Sequence, residues 1–383
     1  MNQHTKIKTA ILKWYFENQR ELPWRGQTDP YAVWISEIML QQTRVETVRP
    51  YFRDFLERFA DLESLARATD EEVRAAWSGL GYYRRAKLMH QAAKFLVEER
   101  GSVWPRTAAE LQKLPGFGRY TSGAVASIAF DESVAAVDGN VQRVIARLHG
   151  IRDDVTKGPG QKAVWQIAEE LATKKPGAHV PFQAGDWTQS LIELGALVCK
   201  AKSPLCSSCP VREECVAAKN NWQSEIPPPK KRISRKVVHF TAIVFVQDQS
   251  IAMMQRPTKG IFAELWCLPL LEGSIEADAI HDELEQKWQW SVDKAVNVGH
   301  IKHVLTHRDV LIDLVRVYST DPLPTPFRCL ELSDLSNFGI PSVTSKLLKE
   351  ALPPELLYDI RLPGRRTTQS NKKNANQTDM FED

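Results

Sequence analysis

Apolar residues recur at the spacing of an amphipathic helix from the start of the chain to about residue 222. Asp29-Pro30 is typical of a helix cap followed by proline in the first turn, and an apolar face then continues to about Gln41. A second long stretch, YYRRAKLMHQAAKFLVEER, consists mostly of good helix formers. We find no convincing run of alternating strand residues here, so the sequence predicts an all-α domain of many short helices.

The composition changes at 225–236, EIPPPKKRISRK, where three prolines and five basic residues predict a stiff, cationic linker. Beyond it, VVHFTAIVFVQ and RDVLIDLVRVYS are rich in β-branched and aromatic residues and predict strands. The chain is therefore expected to be multidomain. The segments we assign are a helical domain at 1–224, the linker at 225–236, a mixed α/β domain at 237–358 and a polar, disordered tail at 359–383.

Composition restricts the class of protein without fixing its function. A chain of 383 residues with 43% hydrophobic and 25% charged residues is typical of a soluble globular protein. No apolar stretch approaches ~18 residues, so no membrane partner is expected. The formal net charge of +3 permits a polyanionic partner without requiring one. We expect a cytosolic protein, or one that lies wherever nucleic acid is.

The stretch LPGFGRY at 114–120 is the first candidate for chemistry. Gly116 and Gly118 allow a tight turn between helices, whose free amides could bind a phosphate. An isolated GxG is more often a plain helix connection. Here, however, the motif VDGN follows at 137–140, and it places an acid beside a flexible glycine.

Cysteines suggest a metal site. Four of the six follow the pattern C-x6-C-x2-C-x5-C, whereas Cys267 and Cys329 are isolated and are most simply small core residues. The spacing alone leaves zinc and an iron–sulfur cluster open, since four thiolates can bind either. The candidate ligands are Cys199, Cys206, Cys209 and Cys215.

The turn and VDGN together resemble the helix-hairpin-helix DNA glycosylase superfamily. The cysteine spacing resembles the [4Fe–4S] loop of its endonuclease III and MutY branches. This resemblance implies that the hairpin binds the DNA backbone, that Asp138 lies at the reacting sugar and that the cofactor is a [4Fe–4S] cluster. Lyase members carry a lysine at the position of Tyr120, and a phenol cannot form their Schiff base. Tyr120 therefore favours a monofunctional glycosylase that uses water.

Residues 22–52, which include VWISEIMLQQT, closely resemble the MutY family, whose members excise adenine mispaired with 8-oxoguanine. Breaking the glycosidic bond needs an acid for the leaving base and an anion near the sugar cation. The resemblance implies that Glu37 is the acid and Asp138 the anion, with Tyr120 and Asn140 supporting the cation. Apolar neighbours should bury Glu37 and raise its pKa. Taken alone, either carboxylate would be a surface group in most proteins.

The same resemblance assigns groups that hold the DNA. Trp24, Arg25 and Glu193 match residues around the extruded adenine, and Gln42 and Thr43 match residues near the opposite strand. The base must leave the duplex for its reactive face to be reached. The residue that matches the wedge inserted into the base stack is Leu80. For Trp24 and Leu80, ordinary core packing is an alternative.

The C-terminal domain resembles the Nudix-like domain of the same family. Its segment EGSIEADAIHDELEQKW lacks the acid arrangement of a working Nudix hydrolase, so a recognition role is favoured over pyrophosphate hydrolysis. Family members read 8-oxoguanine with a loop often written F-S-H. The aligned residues here are Leu305, Thr306 and His307, which keep a hydroxyl and an imidazole but lose the aromatic ring. A plain turn between strands explains these residues about as well.

The resemblance therefore implies an adenine DNA glycosylase of the MutY type, which acts on duplexes with adenine opposite 8-oxoguanine or guanine. On the same basis we expect a cytoplasmic, DNA-associated monomer of bacterial origin. The alternatives are an endonuclease III-like bifunctional lyase and a non-catalytic reader of damaged DNA. The tail adds a candidate partner. Gln377, Met380 and Phe381 have the spacing of Q-x-x-[L/M]-F peptides that bind bacterial sliding clamps, although most polar termini bind nothing.

Overall fold

A computed structural model describes residues 3–173, 180, 182–229 and 234–357 of the chain. The chain divides into two compact units. The first comprises Met1–Arg67 and Leu88–Arg232, and the second comprises Ala68–Lys87 and Ile233–Asp383. The predicted tail at 359–383, with the clamp-binding motif at 377–381, lies outside the described residues, as does part of the predicted linker. Among the described residues, no helix is long and apolar enough to cross a membrane.

The described residues of the first unit form helices and no strands, as the sequence predicted. Its helices are α1 (Gln3–Asn18), α2 (Pro30–Leu40), α3 (Val45–Arg58), α4 (Leu62–Arg67), α7 (Ala108–Leu111), α8 (Arg119–Phe130), α9 (Gly139–His149), α10 (Gly158–Thr173), α11 (Ala184–Leu197) and α12 (Val216–Asn220). Two 3₁₀ turns, Cys206–Ser208 and Arg212–Glu214, lie in the cysteine segment. Helix α5 (Asp70–Ala76) follows α4 in the chain and belongs to the second unit. The boundary between the two units then falls within α6 (Arg84–Arg100).

Local sequence signals position the helices that carry the site. Asp29 caps α2 through its carboxylate, which accepts hydrogen bonds from the amides of Tyr31 (3.2 Å) and Ala32 (3.1 Å). Pro30 occupies the first turn, where a missing amide costs nothing. Helices α1, α9, α10 and α11 contribute to one buried core. The predicted site residues at the start of α9 and on α11 therefore rest on a packed helical framework.

The second unit is a mixed α/β structure of two sheets. Its strands are β1 (Lys236–Val244), β2 (Val246–Gln247), β3 (Ser250–Gln255), β4 (Trp266–Cys267), β5 (Leu270–Glu272), β6 (Lys294–Val304), β7 (Arg308–Tyr318) and β8 (Arg328–Glu331). Its other helices are α13 (Ile280–Trp288), α14 (Ser342–Ala351) and the 3₁₀ turns Ala277–Ala279, Leu332–Asn337 and Pro354–Leu357. The first sheet has the order β5-β1-β7-β6, with β1 and β7 parallel and the other pairs antiparallel. The second sheet joins β2, β3 and β4, with β8 paired to β3.

Alternation along the strands of the first sheet builds two cores. Val310 and Ile312 of β7 belong to a cluster that includes α14, whereas Val315 and Val317 belong to a second cluster with Ile280 of α13. This is the pattern expected when a sheet is covered on both faces. Strands β6 and β7 form a hairpin whose connecting turn, residues 305–307, carries the predicted lesion-reading loop.

The structure differs from the sequence-based boundaries at residues 68–87, which were placed in the helical domain but group with the second unit. Specific hydrogen bonds explain the difference. Glu71 accepts from the amide of Gly339 (2.7 Å), and the hydroxyls of Ser78 and Tyr83 donate to the carbonyl of Ile340 (2.8 and 2.7 Å). At the linker, Ile226 is buried in the core of the first unit.

Candidate active site

The turn at 114–120 joins α7 and α8. Gly116 has a φ of +75°, and a Cβ there would lie 2.8 Å from the Cβ of Leu88, so both conformation and space require glycine. Gly118 caps α8 in an extended conformation, and an added Cβ would meet no atom within 4 Å. Phe117, between them, is buried and stacks on Trp34 with centroids 5.4 Å apart. The buried ring of Phe117 thus anchors the turn to the helical core, while the backbone at Gly118 is open to a ligand. This arrangement suits a contact between the backbone and a phosphate.

Glu37 and Tyr120 meet where α2 packs against α8. Glu37 is only 7% exposed, and the Tyr120 hydroxyl donates a 2.5 Å hydrogen bond to its Oε2. The pKa of Glu37 is raised to about 7, mainly by burial and in part by the nearby charge of Asp138, whereas the Tyr120 bond and Arg25 oppose the shift. Burial and the two carboxylates raise the pKa of Tyr120 well above its usual value. Tyr120 therefore remains a donor, and Glu37 can carry a proton near neutral pH.

Asp138 lies at the N-terminus of α9 and caps it. Its Oδ1 accepts from the amides of Asn140 (2.9 Å) and Val141 (2.8 Å), and its Oδ2 accepts from Nδ2 of Asn140 (2.8 Å). Burial raises the pKa of Asp138, and these hydrogen bonds only partly offset the effect. Asn140 thus contacts both carboxylate oxygens, and its side chain fixes the orientation of the carboxylate. The three residues Glu37, Tyr120 and Asp138 form one electrostatically coupled group.

A chain of hydrogen bonds connects Asp138 to the cysteine segment through Arg143, which the sequence analysis did not identify. Arg143 donates to Oδ1 of Asn140 (2.8 Å), to the carbonyl of Gly195 (2.8 Å) and to the carbonyl of Cys199 (2.6 Å). Its position three residues after Asn140, on the same helical face, was the only sequence signal available.

Glu193 lies on α11 in a buried ionic cluster. It is 1% exposed, and Arg20 donates to it from its backbone amide (3.0 Å) and from its guanidinium (2.8 and 2.9 Å). Arg25 adds a 3.1 Å bond and also donates to the hydroxyl of Tyr15 (2.5 Å). Burial alone would raise the pKa of Glu193, but these arginine partners outweigh burial and lower the pKa below its usual value. Both carboxylate oxygens of Glu193 accept hydrogen bonds, so Glu193 holds Arg25 in place. Arg20 and Tyr15 also belong to this cluster, although the sequence analysis did not identify them.

The remaining predicted DNA contacts of the first unit are spread over two places. Trp24 is 8% exposed and packs edge-on against Phe52 with centroids 5.6 Å apart, so it is firmly held in the core. Gln42 is exposed and has a φ of +56°, while Thr43, half-buried, follows it in the turn after α2. Non-glycine residues in this left-handed conformation cluster at functional sites, which fits the predicted role of Gln42.

The predicted recognition residues of the second unit lie on two loops. Thr306 and His307 are exposed in the β6–β7 turn, whereas Leu305 packs partly against the core. Leu80 is buried, but Tyr82 of the same loop is 49% exposed and its hydroxyl lies 3.0 Å from the hydroxyl of Thr306. Tyr82 was missed because nothing in the sequence links it to a residue more than 200 positions away. The two predicted recognition loops therefore meet through a side chain that the sequence analysis did not name.

The four clustered cysteines line one cavity of the first unit, together with Arg147 and residues of the same segment. Three of them also pack against the helical core. Burial and the neighbouring thiols raise the pKa of Cys209 to about 11. Arg147 donates to the sulfur of Cys199 (3.4 Å), and the thiol of Cys215 donates to the carbonyl of Arg147 (3.4 Å). A cavity lined by four thiols, beside a buried guanidinium, fits an anionic thiolate-bound group.

Comparison with known proteins agrees with this geometry. A family model described as HhH-GPD superfamily base excision DNA repair protein matches residues 35–170, and a NUDIX domain model matches residues 240–350. An adenine DNA glycosylase of Buchnera aphidicola subsp. Baizongia pistaciae is 30% identical, with 88% of this chain and 95% of the relative aligned. The chain belongs to the adenine DNA glycosylase family. The family match also confirms the predicted fold class, a helix-hairpin-helix glycosylase domain followed by a Nudix-like domain.

One further relative and one solved structure show how much of the chain the similarity covers. The adenine DNA glycosylase of Arabidopsis thaliana is 33% identical over 426 residues, which cover 94% of this chain and 66% of the relative. The chain thus spans about two thirds of that relative's length. Among solved structures, a thermostable thymine-DNA glycosylase superposes with a TM-score of 0.50 at 28% identity, and it covers 57% of this chain and 98% of its own.

Proposed function

We propose that this chain removes adenine mispaired with 8-oxoguanine or guanine from duplex DNA, by acid-assisted hydrolysis of the glycosidic bond. The observation that carries the proposal is the buried pair of Glu37 and Tyr120 beside Asp138. A carboxyl group with a pKa of about 7 holds a proton where an ordinary glutamate has lost it. An acid of that strength is what a poor leaving group such as adenine requires.

We infer a separate task for each oxygen of Glu37. Oε2 accepts from Tyr120, so the proton delivered to the base is held on Oε1. As the bond to the base breaks, positive charge develops on the sugar, and Asp138 supplies the opposing charge or bonds to it transiently. Asn140 holds that carboxylate in position. Water, activated at the vacated acid, completes the hydrolysis.

The reaction ends without strand cleavage in this proposal. A lyase needs an amine to form a Schiff base with the sugar, and Tyr120 occupies the position where the resemblance places that amine. The Tyr120 hydroxyl is held by Glu37 and kept protonated by its surroundings, so it is a donor rather than a nucleophile. A bifunctional lyase, the alternative from sequence, is therefore disfavoured.

We also propose a [4Fe–4S] cluster held by Cys199, Cys206, Cys209 and Cys215. The four thiols line one cavity of the first unit. Four thiolates can bind either zinc or an iron–sulfur cluster, and the resemblance of the cysteine spacing to the family's [4Fe–4S] loop favours the cluster. When bound, the cluster would fix the loop at 199–215, and Arg143 and Arg147 would hold that loop to α9.

From the sequence alone, we propose a sliding clamp as a second partner besides DNA. Gln377, Met380 and Phe381 could bind a sliding clamp, with the glutamine at a pocket rim and the two apolar side chains inside it. A labelled peptide of residues 371–383 should bind the clamp, and a peptide with Met380→Ala and Phe381→Ala should not. Equal binding by both peptides would contradict this partner.

The function itself is tested with a panel of duplexes. Adenine is placed opposite 8-oxoguanine, guanine or thymine, and base release is followed with and without alkali. We expect release opposite 8-oxoguanine and guanine, with strand breaks only after alkali. Strand breaks without alkali would favour the lyase, and tight binding without release would favour a non-catalytic reader of damaged DNA.

A further inference from the structure

Residues Glu71, Ser78 and Tyr83 attach the segment 68–87 to the backbone of Gly339 and Ile340, and we call this set the docking contact. Glu71 accepts from the Gly339 amide (2.7 Å). The Ser78 hydroxyl accepts from the Ile340 amide (3.1 Å) and donates to its carbonyl (2.8 Å). Tyr83 donates to the same carbonyl (2.7 Å). Ile340 is fully buried, so its peptide groups depend on these side chains for hydrogen bonds.

The docking contact brackets a short loop. Ser78 and Tyr83 lie on either side of residues 79–82, and the Tyr83 hydroxyl also accepts from the amide of Gly79 (3.2 Å). The loop is conformationally unusual, because Gly79, Gly81 and Tyr82 have φ values of +98°, +73° and +49°. A non-glycine residue adopts such a conformation only when its surroundings hold it there.

Arg85, in the first turn of α6, also supports the loop. Its guanidinium lies 5.3 Å from the ring of Trp77 and 5.5 Å from the ring of Tyr82, and it donates to the carbonyl of Gly81 (3.1 Å). Trp77 donates to the same carbonyl (3.1 Å). Arg85 thus contacts the ring of Tyr82, and Thr306 contacts its hydroxyl.

We propose that Ser78 and Tyr83 are positioning residues, through which the second unit sets the loop 79–82 for opening the duplex at the mispair. The inference rests on the proposed function and requires that Leu80 and Tyr82 contact the DNA at the mispair. The Nudix-like domain then contributes in two ways, by reading the lesion at 305–307 and by holding the loop that separates the bases. Chemistry at Glu37 does not require the docking contact once the adenine is extruded.

The test compares two duplexes under single-turnover conditions. One carries adenine opposite 8-oxoguanine in a fully paired duplex, and the other carries the same pair flanked by mismatches, so that the adenine is already unstacked. The variant is Ser78→Ala with Tyr83→Phe, and the matched control is Tyr318→Phe, which removes the hydroxyl of an exposed tyrosine of the same unit.

We expect the double variant to release adenine about tenfold more slowly from the paired duplex, as the loss of several hydrogen bonds implies. The deficit should shrink to about threefold or less on the pre-opened duplex, because that substrate needs little unstacking. The pH dependence of release should be that of the wild type, since Glu37 is untouched. The control variant should match the wild type on both duplexes.

Equal slowing on both duplexes would overturn the inference, as would a double variant with the wild-type rate on the paired duplex. If the double variant does not fold, Ser78→Ala and Tyr83→Phe are compared singly and should show the same contrast in smaller measure. Thermal unfolding of each variant separates loss of structure from loss of positioning. A wild type that releases no adenine from either duplex would contradict the proposed function itself, and this inference with it.

Discussion

At the scale of single residues, the account depends on the proton of Glu37. The pKa of this carboxyl is raised above its usual value, so the acid is present below about pH 7 and is lost as the pH rises through that value. We therefore predict that the single-turnover rate of adenine release falls about tenfold per pH unit on the alkaline side. DNA binding measured at each pH is the control. A rate that rises steadily from neutral to alkaline pH would show that Glu37 acts as a base in the limiting step.

A second residue-scale prediction concerns the missing amine. Tyr120→Lys should place a nucleophile beside the sugar, and burial should keep part of its amine unprotonated. Borohydride should then trap a covalent complex with DNA, while the wild type and the control Tyr318→Lys give little. Strong trapping by the wild type would mean that another amine of this chain already acts as a lyase.

At the scale of elements, the cysteine segment should bind iron. Purified protein should be yellow-brown and contain about four irons with matching sulfide, as a cubane cluster requires. Cys209→Ser should lower the iron content, because it removes one of the thiols that line the cavity. Cys329→Ser is the matched control, since that exposed cysteine lies outside the segment. Stoichiometric zinc without iron or sulfide would contradict the assignment.

Local elements were the part of the fold that the sequence predicted well. Asp29 and Pro30 mark the start of α2, and the apolar neighbours of Glu37 predicted its burial, because both effects act between residues close in the chain. The segment 68–87 shows the opposite case. Its helical character was visible, but its contact with Ile340 spans 262 positions and leaves no periodic signal in the sequence.

At the scale of the whole molecule, the Nudix-like domain should provide the preference for 8-oxoguanine. Thr306→Ala should lower the ratio of release rates for adenine opposite 8-oxoguanine and opposite guanine, by about the three- to tenfold that one hydrogen bond supplies. Thr306→Ser keeps the hydroxyl and should retain the ratio. His307→Ala should have a similar effect to Thr306→Ala. An unchanged ratio in both Thr306→Ala and His307→Ala would mean that the lesion is read by the helical unit alone.

In the candidate site, too, the sequence predicted residues within motifs but not residues whose partners are distant in the chain. Glu37, Tyr120, Asp138 and Asn140 could be named from motifs, since each lies in a short stretch that resembles the family. Arg20, Tyr15 and Arg143 could not be named, because their partners come from distant helices and their own surroundings in the chain are unremarkable. Supporting groups of this kind are fixed by tertiary packing rather than by local pattern.

The measurement that tests the central claim most directly is the amount of free adenine released by Glu37→Gln from a duplex with adenine opposite 8-oxoguanine. Glutamine keeps the shape and the hydrogen bond with Tyr120 but cannot deliver a proton, so release should fall at least about a hundredfold. Binding to the same duplex should persist, and the exposed control Glu57→Gln should behave as the wild type. Adenine release by Glu37→Gln at close to the wild-type rate would contradict the account.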